Sequence, residues 1–315
     1  MTDEPAVFDG RLLVVAFEGW NDAGDAASNA VRTLQDELEV FALAELDTES
    51  YYDHGLVRPT AAFDESGQRN IIWPTTTFYA PLAPESDISD TANLGEDADI
   101  RVTASNGDNI YLLLGAEPSR NWQSFTAEIV DLALAADISG IVLLGALLAD
   151  APHTRPIAVF ASSENERVRS QLSVERSTYE GPVGILSVLA DAAERAGIPT
   201  VSLWASVPHY VHHAPSPKAT LALIDRLEEV IDIVIPRGQL VEQSAEWESN
   251  IDRVAAEDDD MTSYIASLEQ ARDAVDSPEA SGEAIAQEFE RFLRGKEDRS
   301  DPSGPSTPGT QPPPA

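Results

Sequence analysis

The feature that most constrains this chain is a recurring alternation: short, almost purely apolar runs, each followed by an amphipathic stretch with helical spacing. Arg11–Phe17 (RLLVVAF), Ile110–Gly115 (IYLLLG), Gly140–Leu148 (GIVLLGALL) and Thr200–Ala205 (TVSLWA) have the length and composition of strands buried on both faces. Segments such as Ala23–Leu38, with Val31, Leu34 and Leu38 on one stripe, supply the helices between them. Strands alternating with helices predict a largely parallel sheet covered on both faces, an α/β/α sandwich.

Further elements follow from the same periodicities. A helix is expected from about Arg120, capped by Ser119, with Trp122, Phe125, Ile129 and Leu132 at helical spacing. Others are expected over Glu164–Leu172, Ile185–Ala196 (stopped by Gly197) and Lys218–Ile231. Phe41–Tyr52 reads as extended, Ala61–Phe63 and Asn70–Trp73 as a hairpin turned by DESGQ, and Ile157–Ala161 as a short strand. Residues 80–100 read as an acidic surface excursion.

The expected organisation is an α/β body over residues 1–241, an acidic helical appendage over 242–296 and a disordered tail over 297–315. Two or three helices are expected in the appendage, with Trp247, Ile251 and Val254, then Tyr264, Ile265 and Leu268, then Ile285, Phe289 and Phe292 on their apolar stripes. The tail, EDRSDPSGPSTPGTQPPPA, has no large apolar residue with which to build a core.

Charge narrows the function classes. Asp and Glu number 55 against 20 Lys and Arg, a formal charge of -35, so nucleic acid and anionic membrane surfaces are repelled. Without cysteine there are no disulfides, thiolate metal sites or thiol nucleophiles. The opening MTDEPAVFDG lacks a basic region and Ile141–Ala149 is too short to span a bilayer, so no signal peptide or membrane span is expected and the expected location is the cytoplasm. No G-x-S-x-G elbow, Walker lysine loop, G-x-G-x-x-G fingerprint or H-E-x-x-H occurs, and no cofactor is implied.

Residues 101–200 are the least acidic stretch, with 12 acids and 7 bases, and an anion, if one binds, is expected there. Each of the four buried strands also ends in a specific polar loop: Glu18–Gly24 (EGWNDAG), Ala116–Ser119 (AEPS), Pro152–Pro156 (PHTRP) and Pro208–Tyr210 (PHY). In open parallel sheets ligands bind beyond the carboxyl ends of the strands, so these loops can line one crevice. Candidate ligand contacts are Trp20, Asn21, Asp22, Glu117, His153, Thr154, Arg155 and His209; the catalytic candidates are His153, Asp22 and Glu117.

Each candidate has a structural counterpart. Asp22 suits a general base or a ribose acceptor, while Asn21 and Asp22 are also natural caps for the helix from Ala23, with capping the favoured reading. Trp20 can stack on a base, with core packing the favoured reading. Glu117, where the chain leaves a buried strand, suits either a carboxyl of raised pKa or a salt bridge that pins the loop. Arg155, between Thr154 and Pro156, can grip a phosphate or carboxylate, with Arg58 and Arg120 completing a clamp, or pair with Asp22 or Glu117 in a structural network. His209, His212 and His213 lie in a proline-rich loop without a carboxylate pattern, and no metal is expected.

The same loops carry a resemblance. GWNDAG, GAEPS followed by Trp122, LGALLADAPHTRP, EGPVG and SLWASVPHYV with SPKA, in that order, resemble the actinobacterial branch of the proteasome assembly chaperone 2 family over residues 11–235. The resemblance implies a three-layer α/β fold like that of nucleoside phosphorylases, association with itself or with relatives, with trimers suited to the architecture, and proteasome-like subunits or another protein as partners. Eukaryotic relatives dock partly through a C-terminal hydrophobic-Tyr-any-residue tail, whereas this chain ends in QPPPA, which argues against docking through the tail. The leading expectation is a non-enzymatic protein-binding or assembly role; the alternative is a nucleoside- or anion-binding protein, or an enzyme, using the strand-end crevice.

Overall fold

The computed structural model describes residues 8, 10–64, 66–82, 109–211 and 214–276. Most of the acidic excursion, His212 and His213, the apolar stripe of Ile285, Phe289 and Phe292, and the tail lie outside the described residues.

A seven-stranded sheet forms the centre. Its strands are β1 (Arg11–Glu18), β2 (Val40–Glu45), β5 (Thr76–Pro81), β6 (Ile110–Ala116), β7 (Ile138–Ala149), β8 (Val159–Ser162) and β9 (Thr200–Pro208), in the order β2-β5-β6-β1-β7-β9-β8. β6, β1, β7 and β9 are mutually parallel, β5 and β8 run against them, and β2 runs against β5. Five of the seven strands therefore share one direction. β3 (Thr60–Phe63) and β4 (Arg69–Ile72) form a separate antiparallel hairpin.

Burial explains why β1 reads as a continuous apolar run. Val14 and Ala16 face one layer with Ala27, Val31 and Leu34 of α1 (Ala26–Glu37) and Leu223 and Leu227 of α6 (Pro217–Ile231). Leu13, Val15 and Phe17 face the other, against Phe125 and Ile129 of α3 (Trp122–Ala135) and Leu186 and Leu189 of α5 (Ile185–Arg195). The expected sandwich is thus the observed fold. Two short helices, α2 (Thr48–Tyr51) and α4 (Glu166–Leu172), lie outside these layers, and α7 (Leu240–Ala255) packs on α6 and carries α8 (Asp259–Asp276). Among the described residues no helix is long and apolar enough to cross a membrane.

Three local expectations are corrected. Thr48–Tyr51 is helical rather than extended, because Asp47 caps it by accepting from the Glu49 amide at 3.1 Å. The helix expected from Arg120 begins at Trp122 after Asn121 in a left-handed conformation; the Ser119 hydroxyl instead accepts from the Asp53 amide at 2.5 Å. β5 was not expected at all: its start, Thr76-Thr77, is polar yet buried, and its pairing with β6 requires Gly115, where a Cβ would stand 2.2 Å from the Thr76 hydroxyl.

Candidate functional site

The strand-end loops form two linked clusters. In the first, the Asn21 carbonyl accepts from the Ala146 amide at 2.8 Å, so the β1 loop continues as a parallel bridge alongside β7. Asp22 is buried, and its Oδ1 accepts from the Ala27 and Ser28 amides at 2.7 and 3.2 Å, which caps α1. Its Oδ2 is buried with no hydrogen-bond partner. Loss of solvent outweighs the hydrogen bonds that favour the charged form, and the Asp22 carboxyl is pushed up to about 6.

Glu117 Oε1 accepts from the Asn21 side-chain amide at 3.1 Å and from the Ile185 backbone amide at 3.0 Å. It closes the N-terminus of α5 and ties the β1 and β6 loops together. Residue 184 has to be glycine, because a Cβ there would come within 2.2 Å of the Asn21 amide. Trp20, beside this knot, is 64% exposed, which corrects the expectation of core packing.

The second cluster is built around His153, which is fully buried. Its backbone amide donates to the Tyr210 hydroxyl at 2.8 Å, its Nδ1 lies 2.8 Å from that hydroxyl, and its Nε2 lies 3.0 Å from Asp252 Oδ1 of α7. All three groups are satisfied when the hydroxyl donates to Nδ1 and the ring proton sits on Nε2 facing Asp252. Burial, first of all, pushes the Tyr210 phenol up to about 12. Trp247 of α7 meets the imidazole edge-on with ring centroids 6.4 Å apart, and the His153 carbonyl accepts from Lys218 Nζ at 2.5 Å. Lys218 also pairs with Glu248 of α7.

Arg155 and Thr154 continue the contact onto α8. The guanidinium binds Asp273 through two parallel hydrogen bonds of 2.7 and 2.8 Å and reaches Glu269 at 3.2 Å, and the Thr154 hydroxyl donates to Glu269. Asp273 is held below the usual carboxylate range by this guanidinium, and Arg155 is held protonated above its ordinary value by Asp273. His209 Nδ1 lies 3.3 Å from Asp150 and its ring meets those of Tyr210 and Tyr264 edge-on.

Arg155 therefore does not join Asp22 or Glu117, as the expected network required; the acids that take it come from α8. Nor does it form a clamp with Arg120, whose guanidinium donates to the Glu49 carbonyl at 2.5 Å. Sequence reasoning missed Asp252, Glu269 and Asp273. The i, i+4 spacing of Glu269 and Asp273, which sets both on one face of α8, is the one signal that pointed to a cation partner.

The arrangement fastens loops more than it exposes reactive groups. The imidazole and the Lys218 and Arg155 cations at the ends of β7 and β9 are all bonded to the C-terminal helices. A groove of about 550 Å3 runs beside them between α1, α6 and α7, lined by Asn29, Arg32, Thr33, Thr220, Gln243 and Trp247 among others. Among the described residues no group of three or more His, Asp or Glu side chains is placed to hold a metal ion.

Fold and site together define a class: a three-layer α/β protein whose loops after β7 and β9 are bound down by the helices α7 and α8. The chain belongs to the PAC2 family, whose model matches residues 16–255. A crystal structure of a PAC2 family protein from Streptomyces avermitilis is 42% identical, with a TM-score of 0.66, over 81% of this chain and 99% of that one. A Mycobacterium tuberculosis protein, described as a proteasome-assembly chaperone homologue, is 37% identical with the same TM-score and coverage. An archaeal proteasome activator from Pyrococcus furiosus, 15% identical with a TM-score of 0.57 over 80% of this chain and 96% of that one, shares the fold. No match was found among curated proteins.

Proposed function

We propose that this chain works by binding protein, as an assembly factor for a proteasome or a proteasome-like complex, in the cytoplasm and as a homo-oligomer, a trimer by analogy of fold. The observation that carries the reading is that His153, Lys218 and Arg155, the groups best suited to hold a small anion, are engaged by Asp252, Glu248, Asp273 and Glu269 of the chain's own helices. The 37% identity to a structure described as a proteasome-assembly chaperone homologue supports the kind of partner. The test is reconstitution: proteasome α and β subunits are mixed with and without the purified protein, and ring formation is followed by native electrophoresis. Faster or more complete ring formation is the expected result, and rates unchanged across a range of protein concentrations refute the reading.

One observation favours a second reading, a small-molecule site with a proton-transfer group. Asp22 is a buried carboxyl near neutrality with one oxygen unpartnered, as a general base would be. A thermal shift with inorganic phosphate or a nucleoside that disappears in Asp22→Asn would establish it.

A further inference from the structure

Two apolar surfaces have no partner among the described residues. The first is the β3–β4 hairpin. A lone two-stranded hairpin is marginal in water and gains its stability by packing on something else. Among the described residues the two strands pack substantially only on each other, and seven of their eight residues are exposed. Phe63, 72% exposed, shares one face with Ile71, while Ile72 lies on the other and Trp73 and Leu56 stand exposed at the base.

The second surface lies at the β8 edge of the central sheet. Phe160 on edge strand β8 is 60% exposed and stands in register with Trp204 of β9, whose indole lies against Gly145, where a Cβ would come within 2.6 Å. Leu147, two residues on along β7, is exposed on the same side of the strand as Gly145. The patch continues through Trp20 beside Asn21, through Val183 next to Gly184, which abuts Asn21, and to Tyr179, whose hydroxyl donates to the Pro182 carbonyl at 3.0 Å.

Charge says what can cover them. The chain carries -35, so two copies repel through most of their surface. Residues 138–149, 157–163 and 200–208, which build the Phe160–Trp204 centre of the second surface, contain no charged side chain, with Glu18, Arg176 and Glu180 at its margin, and residues 54–73, which build the hairpin, hold two arginines against two acids. The hairpin and the Phe160–Trp204 centre are where one acidic copy can approach another with the least of that penalty. Area agrees: with about 150–250 Å2 for a whole aromatic side chain, hairpin and patch together come to roughly 1,000 Å2, at the lower end for a specific contact.

We propose that the β3–β4 hairpin of one copy docks on the Phe160–Trp204 face of the next, so that the chain closes into a cyclic homo-oligomer through head-to-tail contacts. The two surfaces differ, one a hairpin that forms its own two-stranded sheet and the other a face of the central sheet, so the contact is heterologous and repeats until the ring closes. This deepens the homo-oligomer part of the proposal above. A ring that leaves proteasome assembly unchanged would sink the assembly role and leave this inference standing.

The test is light scattering and native mass spectrometry on the full chain and on Phe63→Glu and Phe160→Glu, with Ile71→Asp, on the same face as Phe63, as a second hairpin variant. Thermal melts verify that each variant remains folded. Wild type is expected at a multiple of the monomer mass and each variant at the monomer mass. Mixing Phe63→Glu with Phe160→Glu leaves one intact face and one intact hairpin, so a 1:1 heterodimer of twice the monomer mass is expected. A monomeric wild type, variants that stay oligomeric, or folded variants that do not associate on mixing would each overturn the proposal.

Discussion

Replacing Asp22 with Asn removes a charge whose burial is opposed by the fold while keeping the oxygen that caps α1. The carboxyl sits at about 6 in the folded protein against 3.8 ordinarily, and that gap of about 2.2 pH units is worth roughly 3 kcal/mol. The direction follows from linkage: a folded-state value raised above the unfolded one gives stability that is complete below about 3.8 and is lost as pH rises through about 6. From pH 5 to pH 7.5 the loss from this one group comes to about 1.4 kcal/mol. Every other carboxylate titrates alike in wild type and variant, so the difference between them isolates Asp22. Urea unfolding of both at the two pH values is the assay. Asp22→Asn is expected to gain about 1.4 kcal/mol on wild type as pH rises from 5 to 7.5. A difference that is flat with pH, or that grows toward acid, would show that the carboxyl is not held near neutrality and that desolvation does not dominate at this cap.

Other outcomes follow from the clasp. Tyr210→Phe strips the His153 backbone amide and Nδ1 of their partner and is expected to cost about 1–3 kcal/mol in chemical unfolding. Arg155→Ala is expected to speed amide exchange across Asp259–Asp276 while leaving β7 and β9 protected, and Asp273→Ala in the same background adds little, because the two side chains make one contact. Glu117→Ala leaves the Ile185 amide and Asn21 side chain without their acceptor and is expected to cost about 1–2 kcal/mol, with Gly184→Ala destabilising the same junction by collision with Asn21; thermal melts read both.

Much of this was legible in the sequence, for reasons tied to particular residues. β1, β6, β7 and β9 are buried on both faces, so RLLVVAF and its counterparts announce themselves without any contact information. β5 did not, because Thr76 and Thr77 are buried through pairing with β6, a long-range fact no local pattern carries. The four loops stand out in the sequence, yet their contacts divide in a way the sequence conceals. Asn21 and Glu117 answer each other, Asp22 and Glu117 answer two helix N-termini inside the α/β body, and His153, Thr154 and Arg155 answer acids 99 to 118 residues further along. Trp20 was misjudged because an aromatic beside a buried loop usually fills the core, and only the built loop reveals that this one points to solvent.

The claim that most needs testing is that the chain serves protein assembly rather than small-molecule chemistry. Affinity capture of the full chain from lysate of its own cells, with the bound proteins identified by mass spectrometry, addresses it most directly. Proteasome core subunits in the wild-type capture, retained in Asp22→Asn, are the predicted result. Capture of the chain alone, together with stabilisation by phosphate or a nucleoside that Asp22→Asn abolishes, would contradict the account and return function to the strand-end loops.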